Sequence, residues 1–157
     1  MRENMKIMVD ADACPVREIV EKIAKRLNIT VFMVIDTSHI VTSDYSHIIM
    51  VSKGPDAVDF ALINRTSKGD IVVTQDYGVA AMALAKGAYA IHQNGRVYTD
   101  GNIEVLLMER DIAGRCRRAG ERIRGNKKKR SVALDRQFAE AFCCLCKKVI
   151  KNSPDIQ

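Results

Sequence analysis

The sequence predicts an α/β domain built on a mostly parallel sheet. Two observations lead there. Short apolar runs alternate five times with segments of helical period along the 157 residues. The clearest of those runs, "TVFMVI" at 30–35, is apolar on both faces, as a strand is when helices cover both sides of its sheet.

The elements follow in order. Residues 6–10 read as a short buried strand ending in Asp10. Pro15 suits the first turn of a helix, where its missing N–H is no loss. Val16, Ile19, Val20, Ile23, Ala24 and Leu27 then recur at helical spacing and give that helix one core-facing stripe. After "TVFMVI", residues 36–47 are polar and unassigned. "IIMV" (48–51) is a third strand, and "PDAVDFALINRT" (55–66) a short helix stopped by Gly69. "DIVVT" (70–74) is a fourth strand. "YGVAAMALAKG" (77–87) is a helix with Gly87 as its C-cap, and "AYAI" (88–91) a fifth strand. Residues 94–102 read as turns around a small hairpin or extended stretch. Asn102 is expected to cap a helix reaching about Arg118. The stretch with Gly120 and Gly125 reads as a loop, and Ser131 caps a last helix carrying Leu134, Phe138, Ala141, Phe142, Leu145 and Val149. Only twelve residues separate the second and third strands, near the minimum for a helical crossover, so an irregular or one-turn connection is expected.

The length suits a single domain over 1–157. No apolar run approaches the ~20 residues that span a bilayer, and the N-terminus lacks a signal-peptide layout, so a cytoplasmic protein is expected. Cys14, Cys116, Cys143, Cys144 and Cys146 are odd in number and clustered toward one end, unlike a disulfide framework. "CCLC" holds one Cys-x-x-Cys pair, without the second pair or nearby histidine that a zinc site usually needs.

Charge is uneven. The net charge is +6, yet residues 115–130, "RCRRAGERIRGNKKKR", hold nine Lys/Arg and one Glu, for +8, which leaves the remainder at −2. Arg115, Arg117, Arg118, Arg122, Arg124, Lys127, Lys128, Lys129 and Arg130 therefore point to a polyanionic partner such as nucleic acid. With no Trp, base stacking is minor; Tyr45, Tyr77 and Tyr98 are the candidates.

In a doubly wound sheet, ligands bind beyond the carboxyl ends of the strands. Asp10 and Asp12 follow strand one, Asp56 and Asp59 open the helix after strand three, and Asp76 follows strand four. Asp12, Asp56 and Asp76 also suit helix starts. Asp10 ends a strand with no adjacent helix to cap. Five converging carboxylates repel: at 4 Å and an effective dielectric near 20, one like-charge pair costs about 4 kcal/mol. A divalent cation relieves this, and hard oxygen donors favour Mg²⁺ or Mn²⁺ over zinc.

"VDADACPV", "GPDAVDFAL", "GDIVVTQDYGVAAMALAKGA" and "YTDGNIEVLLMERD" resemble the uncharacterised bacterial YaiI/YqxD family over nearly the whole chain. That family resembles a branch of the PIN-like superfamily, whose characterised members are mostly Mg²⁺- or Mn²⁺-dependent ribonucleases. The resemblance implies a three-layer α-β-α fold on a five-stranded sheet ordered 3-2-1-4-5, which sets the ends of strands one and four side by side. It implies that Asp10 matches the acid ending strand one, that Asp12 is an extra acid of this branch, that Asp56 or Asp59 matches an acid on a middle helix, and that Thr74 and Asp76 match a Thr-x-Asp. Asp10, Asp12 and Asp76 would then ligate the metal, Asp59 would accept the proton of the attacking water, and Thr74 would position. Asp100 and His92 are the weak candidates for a last acid. Asn126 stands where family members often carry Gly-Pro in the basic loop.

The expected function is thus phosphodiester hydrolysis, with RNA as the substrate. A non-catalytic RNA-binding protein on the same fold is one alternative. A second is a haloacid dehalogenase-like phosphatase with Asp10 as nucleophile and Lys53 as a later motif residue. A third reads Cys14, at a helix N-terminus, as a thiolate nucleophile.

Overall fold

The computed structural model describes residues 5–12, 14–118 and 130–152. One six-stranded sheet runs in the order β3-β2-β1-β4-β5-β6. Its strands are β1 (Lys6–Asp10), β2 (Thr30–Asp36), β3 (His47–Val51), β4 (Ile71–Val73), β5 (Tyr89–Ile91) and β6 (Val97–Tyr98). All neighbours are parallel except β5 and β6, which pair antiparallel through Ala90↔Tyr98 and Ile91↔Val97. The helices are α1 (Arg17–Leu27), α2 (Ala57–Arg65), α3 (Tyr77–Ala85), α4 (Asp100–Arg118) and α5 (Val132–Lys151). Among the described residues, no helix is long and apolar enough to cross a membrane.

The period-2 alternation of strand side chains divides the core into two layers. Ile7, Val9, Val31, Met33, Ile35, Ile71 and Val73 face α1 and α5. Met8, Val34 and Val72 face α2, α3 and α4, where Val58, Leu62, Val79, Ala83, Ile103 and Leu106 meet them. This is the three-layer α-β-α arrangement. It also assigns the strand ends, because Asp10, Asp36 and Thr74 continue the parity of Met8, Val34 and Val72. All three therefore belong to the α2–α3–α4 side.

Two details differ from the sequence reading, and one expectation takes a definite form. The stretch 94–102 contributes a sixth strand, so the sheet has six strands rather than five. The second and third strands are joined by an irregular, helix-free connection, as their short spacing predicts. Residues 37–46 lie over α1: Ser46 Oγ donates to Glu21 Oε1 at 2.7 Å, and the Tyr45 hydroxyl donates to the carbonyl of Ile29. Finally, α4 begins before Asn102. Thr99 Oγ1 accepts from the Asn102 N–H at 3.1 Å, and Asn102 Oδ1 accepts from the Thr99 N–H at 2.9 Å, a reciprocal box in which Thr99 is the cap. Ser131 caps α5 as expected, accepting from the Leu134 N–H at 3.2 Å.

Gly95, in the turn between β5 and β6, stands at φ 94°, and a Cβ there would lie 3.0 Å from the Gln137 carbonyl oxygen of α5. Gly95→Ala is expected to cost about 2 kcal/mol or more, from the left-handed backbone and from that contact with a rigid helix. Urea unfolding checks it; a cost under about 0.5 kcal/mol would show that the turn can move off α5.

Candidate functional site

Six aspartates line one cleft of about 620 Å³ at the carboxyl ends of the strands: Asp10, Asp12, Asp36, Asp56, Asp59 and Asp76. Among the described lining residues, Arg110 is the one cation. The parallel order β2-β1-β4 makes this meeting possible, since Asp10 pairs with Val34 of β2 while Val9 pairs with Val73 of β4.

Asp10 is held from its β4 side. The Thr74 hydroxyl donates to Asp10 Oδ2 at 3.2 Å and accepts the Asp76 N–H at 3.0 Å. The Tyr98 hydroxyl, itself buried, donates to the Thr74 carbonyl at 3.2 Å. Burial pushes the Asp10 carboxyl up to about 6; the Thr74 hydrogen bond opposes this, and the charges of Asp59, Asp12 and Asp76 add to it. Asp59, on α2, is raised by burial and then by Asp76, Asp56 and Asp12. The acids therefore feel one another as a group.

Asp76 serves two ends. Its Oδ1 accepts from the Val79 N–H at 3.1 Å and so caps α3, while its carboxylate still lines the cleft. Arg110 Nη1 lies 3.7 Å from that oxygen, and both side chains are about half exposed, so the pair neutralises little. Gly78 leaves room for the pair, because a Cβ there would stand 3.1 Å from Asp76 Oδ1 and 3.4 Å from Arg110 Nη1. Asp56 is exposed at the mouth, with φ 58° at the start of α2 and no side-chain cap bond. Asp12 does not cap α1, whose N-cap position is Val16. Asp12 Oδ1 is shielded from solvent and accepts no hydrogen bond. The carboxylates of Asp10, Asp12 and Asp76 on one cleft wall are a donor set that fits a hard divalent cation.

The remaining candidates lie apart from this group. Asp100 and His92 do not line the cleft; His92 stacks edge-on to Tyr98, and its Nδ1 accepts the Asn94 N–H. Lys53 is exposed and also outside the lining. Burial pushes the Cys14 thiol up, away from thiolate character. Tyr77 lines the cleft, whereas Tyr98 is only 2% exposed and is not available to a base. Arg115 pairs with Asp111 at 3.0 Å on the exposed face of α4. Arg117 and Arg118 end that helix, while Arg122, Arg124, Lys127, Lys128 and Lys129 lie outside the described residues. Arg130 is engaged by the protein itself, bonding Asp135 and the Gln93 carbonyl at 2.5 Å each.

Three residues near the site escaped the sequence reading. Asp36 carried a readable signal, since it ends β2 with the same parity by which Asp10 ends β1. Arg110 carried one too, because it extends the buried stripe Ile103, Leu106 by one more helical step. His39, in the polar connection, carried none.

Comparison with known proteins places the chain among relatives. The family model described as the uncharacterised YaiI/YqxD family matches residues 8–148. A UPF0178 protein of Lachnoclostridium phytofermentans is 56% identical over 147 residues, covering 92% of this chain and 99% of the relative. A UPF0178 protein of Clostridium acetobutylicum is 56% identical over 140 residues (88% and 94%), and one of Ruminiclostridium cellulolyticum is 50% identical over 153 residues (98% and 99%). No solved structure gives a significant match.

Proposed function

The chain belongs to the uncharacterised YaiI/YqxD family, and from that premise we propose that it is a PIN-like nuclease, dependent on Mg²⁺ or Mn²⁺, that hydrolyses phosphodiester bonds of RNA. The observation that carries the reading is the gathering of Asp10, Asp12, Asp59 and Asp76 in one cleft, where burial first, and the neighbouring carboxylates after it, push Asp10 up to about 6.

Asp10, Asp12 and Asp76 would hold the cation, which would supply Lewis-acid polarisation of the phosphodiester and a lowered pKa for the attacking water. Thr74 fixes the orientation of the Asp10 carboxylate through its hydroxyl. Asp59, whose proton affinity is raised by burial, takes the proton of the water. Arg110 offers guanidinium N–H groups to the non-bridging oxygens of the phosphate opposite Asp76. A polymer suits the cleft better than a small phosphoester, because α4 carries Arg110 into the cleft and then runs on into the 115–130 segment of charge +8. RNA, rather than DNA, follows from the resemblance to PIN-like ribonucleases.

The test incubates the purified protein with labelled single-stranded and structured RNA in Mn²⁺, beside the Asp10→Asn/Asp76→Asn double variant. Wild-type cleavage is expected to exceed that of the variant by about 10³-fold or more, as when a transition-state-stabilising group is removed. RNA binding without cleavage by either protein would replace the proposal with the binding-only reading. Equal cleavage by both would point to a contaminating enzyme and refute it. Hydrolysis of phosphomonoesters alone would favour the phosphatase reading.

A further inference from the structure

Beside the acids assigned above, Asp36 and His39, which the nuclease reading does not use, form a mixed donor set with Asp12, which it does. Asp36 ends β2, and His39 follows three residues later in the connection to β3. One carboxylate oxygen each from Asp12 and Asp36 and one ring nitrogen of His39 all lie within 4.8 Å of one another. His39 Nδ1 stands 3.1 Å from Asp12 Oδ1 and 3.3 Å from Asp36 Oδ1. Donors bound at about 2.1 Å to one ion are separated by roughly 3.0–3.4 Å, and the two distances from His39 Nδ1 fall in that range.

Hydrogen bonding alone leaves this cluster unsatisfied. Nδ1 carries at most one proton. It faces three acceptors: Asp12 Oδ1, Asp36 Oδ1 and, at 3.1 Å, Ser38 Oγ. Asp36 Oδ1 has other donors, the Ser38 N–H at 2.8 Å and the Ser38 hydroxyl. Asp12 Oδ1 has none, although it is closed off from solvent. A shielded carboxylate oxygen without a donor calls for a cation.

We propose that Asp12, Asp36 and His39 form a second cation site, sharing Asp12 with the Asp10–Asp76 centre, that takes a first-row divalent ion. The imidazole nitrogen favours Mn²⁺ over Mg²⁺ there, because Mg²⁺ keeps to oxygen donors and its own water. The site stands whether or not the chain cuts RNA.

Mn²⁺ is the probe, since the five thiols of the chain would compete for Zn²⁺. Equilibrium titration followed by electron paramagnetic resonance counts bound Mn²⁺ on the full chain, wild type against His39→Ala and Asp36→Asn. Both substituted residues are at least partly exposed, so folding is retained and circular dichroism confirms it. Each variant is expected to bind one equivalent fewer than wild type, or to bind that equivalent more than about 100-fold more weakly. Pulsed measurements on wild type are expected to show a nitrogen coupling to Mn²⁺ that vanishes in His39→Ala. An Asp59→Asn/Asp76→Asn control is expected to keep that nitrogen coupling, which separates this site from the nuclease centre. Unchanged stoichiometry and affinity in His39→Ala, or no nitrogen coupling in wild type, would overturn the proposal.

Discussion

Asp10→Asn is expected to raise the melting temperature of the metal-free protein at pH 7.5 by about 5–10 °C, from about 2–3 kcal/mol of added stability. Burial first, then neighbouring aspartates, moves the Asp10 carboxyl from its usual 3.8 to about 6. Below about 3.8 the group is protonated in folded and unfolded chains alike, and its burial imposes no charge penalty. Between 3.8 and 6 the unfolded chain ionises while the folded chain holds its proton, so stability falls as pH rises. Above 6 the folded protein carries a desolvated anion, and the loss is complete. The variant removes that slope, and its amide oxygen can still accept the Thr74 hydroxyl. Adding Mn²⁺ at 100 times its Kd would stabilise wild type by about 2.7 kcal/mol and the variant far less, which cancels or reverses the ranking. Melting curves from pH 4 to 8, with and without Mn²⁺, read both effects. A metal-free variant less stable than wild type at pH 7.5 would mean that Asp10 is satisfied by the protein itself, and the crowding argument would fail with it.

How much could be read in advance depends on where the determining interactions lie. β1, β2 and β4 were legible because both faces of each are covered and each announces itself as an apolar run. β6 was not, because Val97 and Tyr98 have no period of their own; pairing with β5 makes them a strand. That the link between β2 and β3 would be irregular was legible from its length; its seating on Glu21 and the Ile29 carbonyl was not, because those contacts are remote in sequence. In the cleft, Asp10, Thr74 and Asp76 stood out as strand-end residues. Asp36 occupied an equivalent strand end but merged with the polar run that follows. Charge patterning also hid a division of labour: Arg110 sits before the basic segment yet lines the cleft, while Arg130 sits inside it yet is held by Asp135 and Gln93.

Phe142→Ala is expected to cost about 3–5 kcal/mol, the range for emptying a fully enclosed aromatic site. Phe142 and Phe138 are wholly buried and stack on one another, with ring centroids 5.3 Å apart and an interplanar angle of 13°. One turn apart on α5, they close the sheet face made by Ile7, Val9, Val31 and Val73, and the neighbouring side chains cannot collapse into the space without α5 itself moving. Phe60, 60% exposed on α2, provides the contrast, and its change to Ala is expected to stay within about 0.5 kcal/mol. The consequence reaches the cleft. Gln137 Nε2 of α5 donates to the Asn94 carbonyl, Arg130 bonds the Gln93 carbonyl, and Gln93 lines a recess shared with Asp10 and Asp12. A loosened α5 would therefore release the turn that backs the carboxylates, and the variant is expected to lose cation affinity as well as stability. Urea unfolding, with the denaturant slope held unchanged, and Mn²⁺ titration measure the two together. A loss below about 1 kcal/mol would show that α5 is an appendage and that the sheet is closed without it.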